Sequence, residues 1–373
     1  MAMECMAASG RLLRGFIVGQ ATLKPVWFRM AGKPWTSALQ PDSEVGEPPL
    51  SRSWILNLEL KRNTALLLIM RLFTTGCTGF IGQALVPALE AAGHELILAT
   101  RHPDRARRLS PTAQVVEADT RQPGPWQAHV ATAEGVINLA GEPIAEQRWT
   151  DEHKTLIRQS RVATTRNLVE AVTAADSGPQ VFVSGSAVGY YGASKAGEYS
   201  EASSGGTDFL ARVCQEWEAA TRPAQACCRV VVLRIGIVLG PDGGALGKML
   251  PVFRLGVGGP VGSGRQWMSW IHRTDFCRLT VAALADPAFR GVYNAVAPNP
   301  VTMGEMASSL GRTMGRPSLL PVPAPLLQAL LGDGAMVVLK GQKVRADALG
   351  ERGFSFAYPT LPEALKEIVH ASS

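Results

Sequence analysis

Residues 71–83 read Arg-Leu-Phe-Thr-Thr-Gly-Cys-Thr-Gly-Phe-Ile-Gly-Gln, and no other stretch of the 373 residues restricts the fold so tightly. An apolar, β-rich run over 66–74 stops at Gly76. Gly76, Gly79 and Gly82 follow at a spacing of three, and 83–91 then has helical character. Glycines where a strand turns into a helix let the backbone close tightly and leave a helix N-terminus bare, which attracts an anion such as a phosphate. A glycine triplet carries that meaning only between a strand and a helix, and this one has that context. Gly76, Thr78, Gly79, Phe80, Ile81 and Gly82 are therefore the expected phosphate-facing positions.

Apolar runs that read as strands continue at 95–100, 115–118, 135–139, 181–184 and 229–239, with helical segments at 149–174 and 208–220 between them. Strands alternating with helices imply parallel pairing through right-handed crossovers. The expected fold class is α/β: a doubly wound parallel sheet of the Rossmann type with a smaller C-terminal region on the substrate side. In such a sheet the end of the second strand meets the adenosine ribose of a dinucleotide. An acidic residue there favours a free 2′-hydroxyl. Thr100 and Arg101 stand there instead, which suits a 2′-phosphate and favours NADP over NAD. Asp119, after the third strand, either approaches the adenine or caps its loop. Asn138, Leu139, Ala140 and Gly141 end the fourth strand with small residues that let the backbone approach a cofactor. Arg161, on the long helix, either reaches back to that cofactor or lies on the surface.

Composition removes other classes. Hydrophobic residues make up 46% and charged residues 18%, values of a globular chain. The net charge of +6 is scattered, and its densest group, Arg105, Arg107 and Arg108, fits solvent or a phosphorylated small molecule better than nucleic acid. The six cysteines have no paired C-x-x-C spacing and no histidines near them, so neither a metal site nor a disulfide framework is expected. No apolar run is long enough to span a bilayer. The segment 5–41 contains no acidic residue but carries Arg11, Arg14, Lys24, Arg29 and Lys33. With Met70 directly before the first strand, it reads as the product of a start assigned too early in a cytoplasmic protein. The alternative is a plastid or mitochondrial transit peptide. Either way the expected organisation is an extension (1–65), a nucleotide-binding domain (66–300, with 241–275 contributing to a cleft) and a small C-terminal domain (301–373).

The chain resembles the extended, atypical short-chain dehydrogenases/reductases, and within them the nucleotide-sugar-epimerase-like proteins often labelled cell-division inhibitors. The matching stretches are 75–82, 138–141, 148–149, 160–161, 184–192, 215–218, 234–244, 258–272, 294–300 and 341–343, within a likeness that runs from about Met70 to Val369. The resemblance implies NADP at the positions above, with Val238 near the nicotinamide end. It also implies an unidentified small-molecule substrate, and it leaves a homodimer open. Ordinary members of the superfamily use Ser, Tyr and Lys, the Lys lowering the Tyr pKa. Ser186 holds the Ser position. In the helix that should carry the other two, Leu210 and Cys214 stand at the Tyr and Lys positions. A literal Tyr-x-x-x-Lys, Tyr191 to Lys195, sits among Gly192, Gly197, Gly205 and Gly206. That makes it a loop, whereas the motif needs one helical face. Ser186 and Tyr191 are the catalytic candidates, and Tyr190 and Tyr191 are expected to face the substrate. Trp267 and Trp270 either stack on a ring or fill the core. His272 and Asp275 are expected to be structural, Asp275 as a helix cap. Two activities remain open: an NADP-dependent epimerase-like oxidoreductase, or a redox-reporting NADP-binding protein acting in cell or plastid division.

Overall fold

The structure, a computed structural model, describes residues 69–193 and 197–372. Buried β-branched and Leu-rich runs form the centre, because strands covered on both faces need no polar alternation. In chain order the first half contains β1 (Arg71–Thr75), α1 (Gly82–Ala91), β2 (Glu95–Thr100), α2 (Pro103–Leu109), β3 (Gln114–Glu117), α3 (Gln127–Ala131), β4 (Gly135–Asn138), α4 (Asp151–Thr173) and β5 (Val181–Ala187). A short 3-10 turn, Val188–Tyr191, leads to β6 (Glu198–Tyr199) and α5 (Phe209–Thr221), and then β7 (Arg229–Ile235) and β8 (Ile237–Leu239). Seven strands form one parallel sheet in the order β11-β7-β5-β4-β1-β2-β3, where β11 is Gly291–Ala295. The order reverses between β1 and β4, at the tip of the glycine loop, which is where an open α/β sheet forms its ligand crevice.

Each face of the sheet has its own core. One contains Leu85, Leu89, Leu98, Ile137, Val183 and Phe276. The other contains Phe73, Trp126, Val136, Leu168, Val172 and Phe182. A third cluster holds the substrate side. It is built by α6 (Gly244–Arg254), β9 (Trp267–Met268), β10 (Trp270–His272), β12 (Val301–Thr302), α8 (Met303–Met314) and the last helix. The order there is β10, α7 (Arg273–Ala285), β11, β12, α8, α9 (Ala324–Leu331), α10 (Met336–Leu339), β13 (Lys343–Val344), α11 (Asp347–Glu351) and α12 (Leu361–Ala371).

Most boundaries shift by a residue or two from the sequence reading, and three differences matter. The first strand begins at Arg71, and 66–68 lie outside the described residues. The fifth strand runs on through Ser186 to Ala187. The run 229–239 breaks at Gly236, where a Cβ would stand 2.6 Å from the Ser269 carbonyl oxygen. There the chain leaves the main sheet, where β7 pairs with β11, and pairs β8 with β10 instead.

His272 and Asp275 are structural as expected, but their roles exchange. His272 caps α7, its Nδ1 accepting from Thr274 N, while its Nε2 lies 3.0 Å from Glu367 on α12. Asp275, fully buried, accepts from the backbone N–H groups of Ala357 (2.7 Å) and Tyr358 (2.9 Å) and pairs with Arg278. The pair thereby fastens the C-terminal segment to the sheet domain. Trp270 fills the core, its indole N–H donating to Asn299 O, whereas Trp267 stays partly exposed beneath Lys343. No helix among the described residues is long and apolar enough to cross a membrane.

Candidate functional site

The three loop glycines are required for different reasons. Gly76 has φ +75°, a conformation that favours glycine, and a Cβ on it would lie 2.5 Å from the Leu139 carbonyl. Gly82 lies so close to Cys77 that a Cβ would collide with that residue's carbonyl oxygen. A Cβ on Gly79 would meet only Gly76 O, at 3.3 Å, and Gly79 is exposed. The backbone there presents a bare surface. No side chain caps α1, and its first turn has no acidic residue. Gln83 N and Ala84 N donate to Gly79 O and Ile81 O, so the N–H groups just ahead of them, at Phe80, Ile81 and Gly82, and the helix dipole are left for an anion.

At the end of β2, Thr100 is buried, its Oγ1 accepting from His102 N at 3.0 Å and lying 3.4 Å from Thr78 Oγ1. Arg101 beside it is exposed, with no hydrogen bond or contact ion pair among the described residues. Asp119 takes the loop-cap arrangement. It accepts from Arg121 N (3.1 Å) and Arg121 Nε (2.8 Å), and these hydrogen bonds hold its carboxyl below the usual range, with Arg101 adding to the effect.

The residues after β4 divide. Asn138 is fully buried and works within the protein. Its Oδ1 accepts from Thr75 Oγ1 (2.9 Å) and its Nδ2 donates to Thr165 Oγ1 (2.8 Å). Leu139 and Ala140 are half-buried and Gly141 is exposed along the crevice. Arg161 is neither a surface residue nor a free arm. Its guanidinium donates to the carbonyls of Glu142 and Ile157 (both 3.1 Å), lies against Gly141, and faces the Trp217 ring at 5.4 Å. Burial lowers its pKa. Phe80 and Ile81 are half-buried. Phe80 seats on Gly243 and Gly244, where a Cβ would stand 2.7 and 2.9 Å from its ring, and Arg273 covers it at 4.8 Å. Val238, in β8, pairs in register with Ile271 and is half-buried.

The polar centre lies further along the same edge, on β5, β7 and β11. Strand register sets Ser186 of β5 beside Arg234 of β7, and Arg234 beside Asn294 of β11, in one row. Ser186 Oγ donates to Glu218 Oε1 at 2.7 Å. Glu218, from α5, takes a bidentate pair from Arg234 Nε (2.8 Å) and Nη2 (2.9 Å). Arg234 Nη1 donates to Tyr191 Oη (2.9 Å), which donates to Asn294 Oδ1 (2.7 Å). Burial works against the Arg234 cation, but the hydrogen bonds and charge of Glu218 outweigh it and raise its pKa. Burial likewise raises the Tyr191 phenol, with Arg234 offsetting part of the effect. Tyr190 lies under the guanidinium at 3.5 Å.

Tyr191 is buried, on the 3-10 turn, and Gly192 follows it at φ +73°, which ends that turn. Lys195 lies outside the described residues. On α5, Cys214 is buried and its thiol is pushed up to about 12 by burial, so that helix offers an uncharged thiol where a Lys is usual. Glu218, Arg234 and Asn294 were not singled out as site residues from the sequence. One signal was available: an Arg in the middle of the apolar run 229–239 needs buried polar partners.

Residues 72–295 match the NAD dependent epimerase/dehydratase family, and 322–368 match a domain of unknown function, DUF1731. The epimerase family protein SDR39U1 homolog, chloroplastic, of Arabidopsis thaliana is 45% identical over 302 residues, covering 80% of this chain and 87% of that protein. Human epimerase family protein SDR39U1 is 39% identical over 308 residues, covering 80% and 100%. The crystal structure of human SDR39U1 (isoform 2) with NADPH superimposes with a TM-score of 0.71 at 37% identity, covering 81% of this chain and 99% of that one.

Proposed function

The chain belongs to the NAD dependent epimerase/dehydratase family, and we propose that it binds NADPH and acts as an epimerase-like oxidoreductase on a small molecule held against its C-terminal region. The observation that carries this reading is the bare α1 N-terminus at Gly79, beside an exposed Arg101 at the end of β2. The chemistry of this donor set fits a dinucleotide carrying a 2′-phosphate: backbone N–H groups for the pyrophosphate, a guanidinium for the extra phosphate. The human relative crystallised with NADPH supports the same choice. A bound nicotinamide supplies hydride chemistry.

The chain's own residues do the rest. Gly76 and Gly82 hold the loop against β4 and α1, and Arg161 braces the turn that ends in Gly141. Ser186 and Tyr191 are the site's two hydroxyls, and the Glu218–Arg234 pair connects them. Arg234 takes the place of the missing Lys as the fixed cation beside a tyrosine. Residues 301–373 close the substrate side as a small C-terminal domain.

NADPH titration of the purified chain, followed by incubation with a panel of aldehydes, ketones and nucleotide sugars, tests the proposal. Saturable NADPH binding with turnover that Ser186→Ala reduces is the expected result. Absence of NADPH binding would refute it. A second reading, a redox-reporting NADPH-binding protein, is favoured by Leu210 and Cys214 in the usual acid/base positions. NADPH binding without turnover on any of the panel would select it. For localisation, the chloroplastic name of the Arabidopsis relative supports the leader reading of 5–41, which a fluorescent fusion of residues 1–69 tests.

A further inference from the structure

Among the described residues, every exposed large apolar side chain except Ile69 falls in two segments, 252–257 and 319–330. Leu319 is 81% exposed, Leu255 78%, Leu330 61% and Leu320 55%. Backbone hydrogen bonds hold the segments side by side: Leu320 N to Gly258 O (3.2 Å), Val322 N to Pro260 O (2.9 Å) and Gly262 N to Val322 O (2.9 Å). The apolar surface continues onto α9, Ala-Pro-Leu-Leu-Gln-Ala-Leu-Leu, none of whose residues is buried. Leu326 and Leu330 stand one turn apart on it. Scattered surface leucines need no explanation, but a contiguous set does.

Basic residues predominate in the segments that form this surface; the exposed Asp333 that follows α9 is paired with Lys154. No acidic residue occurs in 243–274 or in 306–332. The same segments and the residue just past α10 carry Lys248, Arg254, Arg265, Arg312, Arg316 and Lys340, all exposed and none paired with a carboxylate among the described residues. We propose that this face docks on an anionic lipid bilayer, with the leucines entering the interface and the basic residues meeting headgroup charge. Apolar side chains among unpaired Lys and Arg are what interfacial binding requires. A second copy of the chain is the poorer occupant, because face-to-face association would set like charges against each other.

Vesicle flotation with the full chain tests this, using phosphatidylcholine alone and phosphatidylcholine containing phosphatidylserine. The chain should float with the anionic vesicles, much less with the neutral ones, and less again as salt is raised. Leu255→Ser with Leu319→Ser should lower the bound fraction constant by at least about tenfold, since the apolar area that enters the interface is lost. Arg265→Ala and Arg316→Ala should each lower it about fivefold. All these side chains are exposed, so the variants should melt with the parent. Flotation that is absent, or equal for both vesicle types, overturns the proposal. So does a concentration-dependent dimer in sedimentation velocity that the double Ser variant abolishes while flotation is unaffected.

Discussion

Glu218→Gln alters one carboxylate at the centre of the polar row and nothing else in shape. Oε1 now accepts from both Ser186 Oγ and Arg234 Nε, and Oε2 accepts from Arg234 Nη2. A glutamine keeps a single acceptor oxygen. Placed on Ser186 and Nε, it turns its NH₂ towards Nη2, so that two donors meet and one charge-assisted bond is lost, at about 1.5–3 kcal/mol. The larger loss is electrostatic. The Arg234 and Glu218 side chains are 4% and 12% exposed, so the remaining cation has little water to turn to. Breaking a buried pair from one side costs about 3–5 kcal/mol, and the slightly open Glu218 end puts this case near 3. The double variant Glu218→Leu/Arg234→Met should be hurt less than the single one. It leaves Ser186 without its acceptor, at about 1–2 kcal/mol, but leaves no bare charge, and Tyr191 keeps Asn294. Urea unfolding reads both, as a lower midpoint with an unchanged slope. A loss below about 0.5 kcal/mol for Glu218→Gln would place the pair with solvent-screened surface pairs and would sink the account of the row as a buried unit.

Gly82→Ala should destabilise the fold by about 2–3 kcal/mol through its collision with Cys77, while Gly79→Ala should cost under about 1 kcal/mol yet weaken NADPH at least tenfold. Melting curves and cofactor titrations separate the two effects. Arg101→Ala should weaken NADPH by about 10- to 100-fold and NADH hardly at all, because only the former loses a charge-assisted contact; equal losses would disprove the ribose assignment. Burial raises the thiols of Cys77 and Cys228 to about 11 and of Cys214 and Cys277 to about 12, against an ordinary 9.0. The unfolded chain therefore loses these protons first, so the contribution is intact below pH 9 and falls as pH rises from there towards 11–12. The unfolding midpoint should drop across that window, and a drop that survives Cys→Ala at all four positions would count against this cause. A chain starting at Met70 should melt within a few degrees of the full one, because 1–65 are expected to lie outside the fold.

The parallel sheet could be read from the sequence because it is buried on both faces, and its strands show as apolar runs such as 230–233. The helix expected at 208–220 was equally local, and Asp208 caps it by accepting from Ala211 N. The glycine loop was legible for the same reason: its context is a dozen consecutive residues. The polar row was not. Ser186, Arg234 and Asn294 become neighbours only through the registers of three strands far apart in the chain, and no local pattern encodes a register. The break at Gly236 was hidden because its cause, the Ser269 carbonyl, comes from another segment.

Asn294 touches the end of the chain as well as its middle. While its Oδ1 accepts from Tyr191, its Nδ2 donates to Arg345 O at 2.7 Å, and β13 pairs with β6 one step away. These partners are separated by 51 residues in one case and, for Lys343 and Glu198, by 145. A chain emerging from the ribosome can assemble the glycine loop as soon as its first βαβ unit is out. It cannot finish the row around Tyr191 until nearly the last residues have been made. Closing so long a loop is slow compared with forming the local units. Nascent or C-terminally truncated chains should thus pass through a stage that can hold a dinucleotide but has an unfinished substrate side, with Asn294 short of a partner and Tyr199 unpaired along its strand.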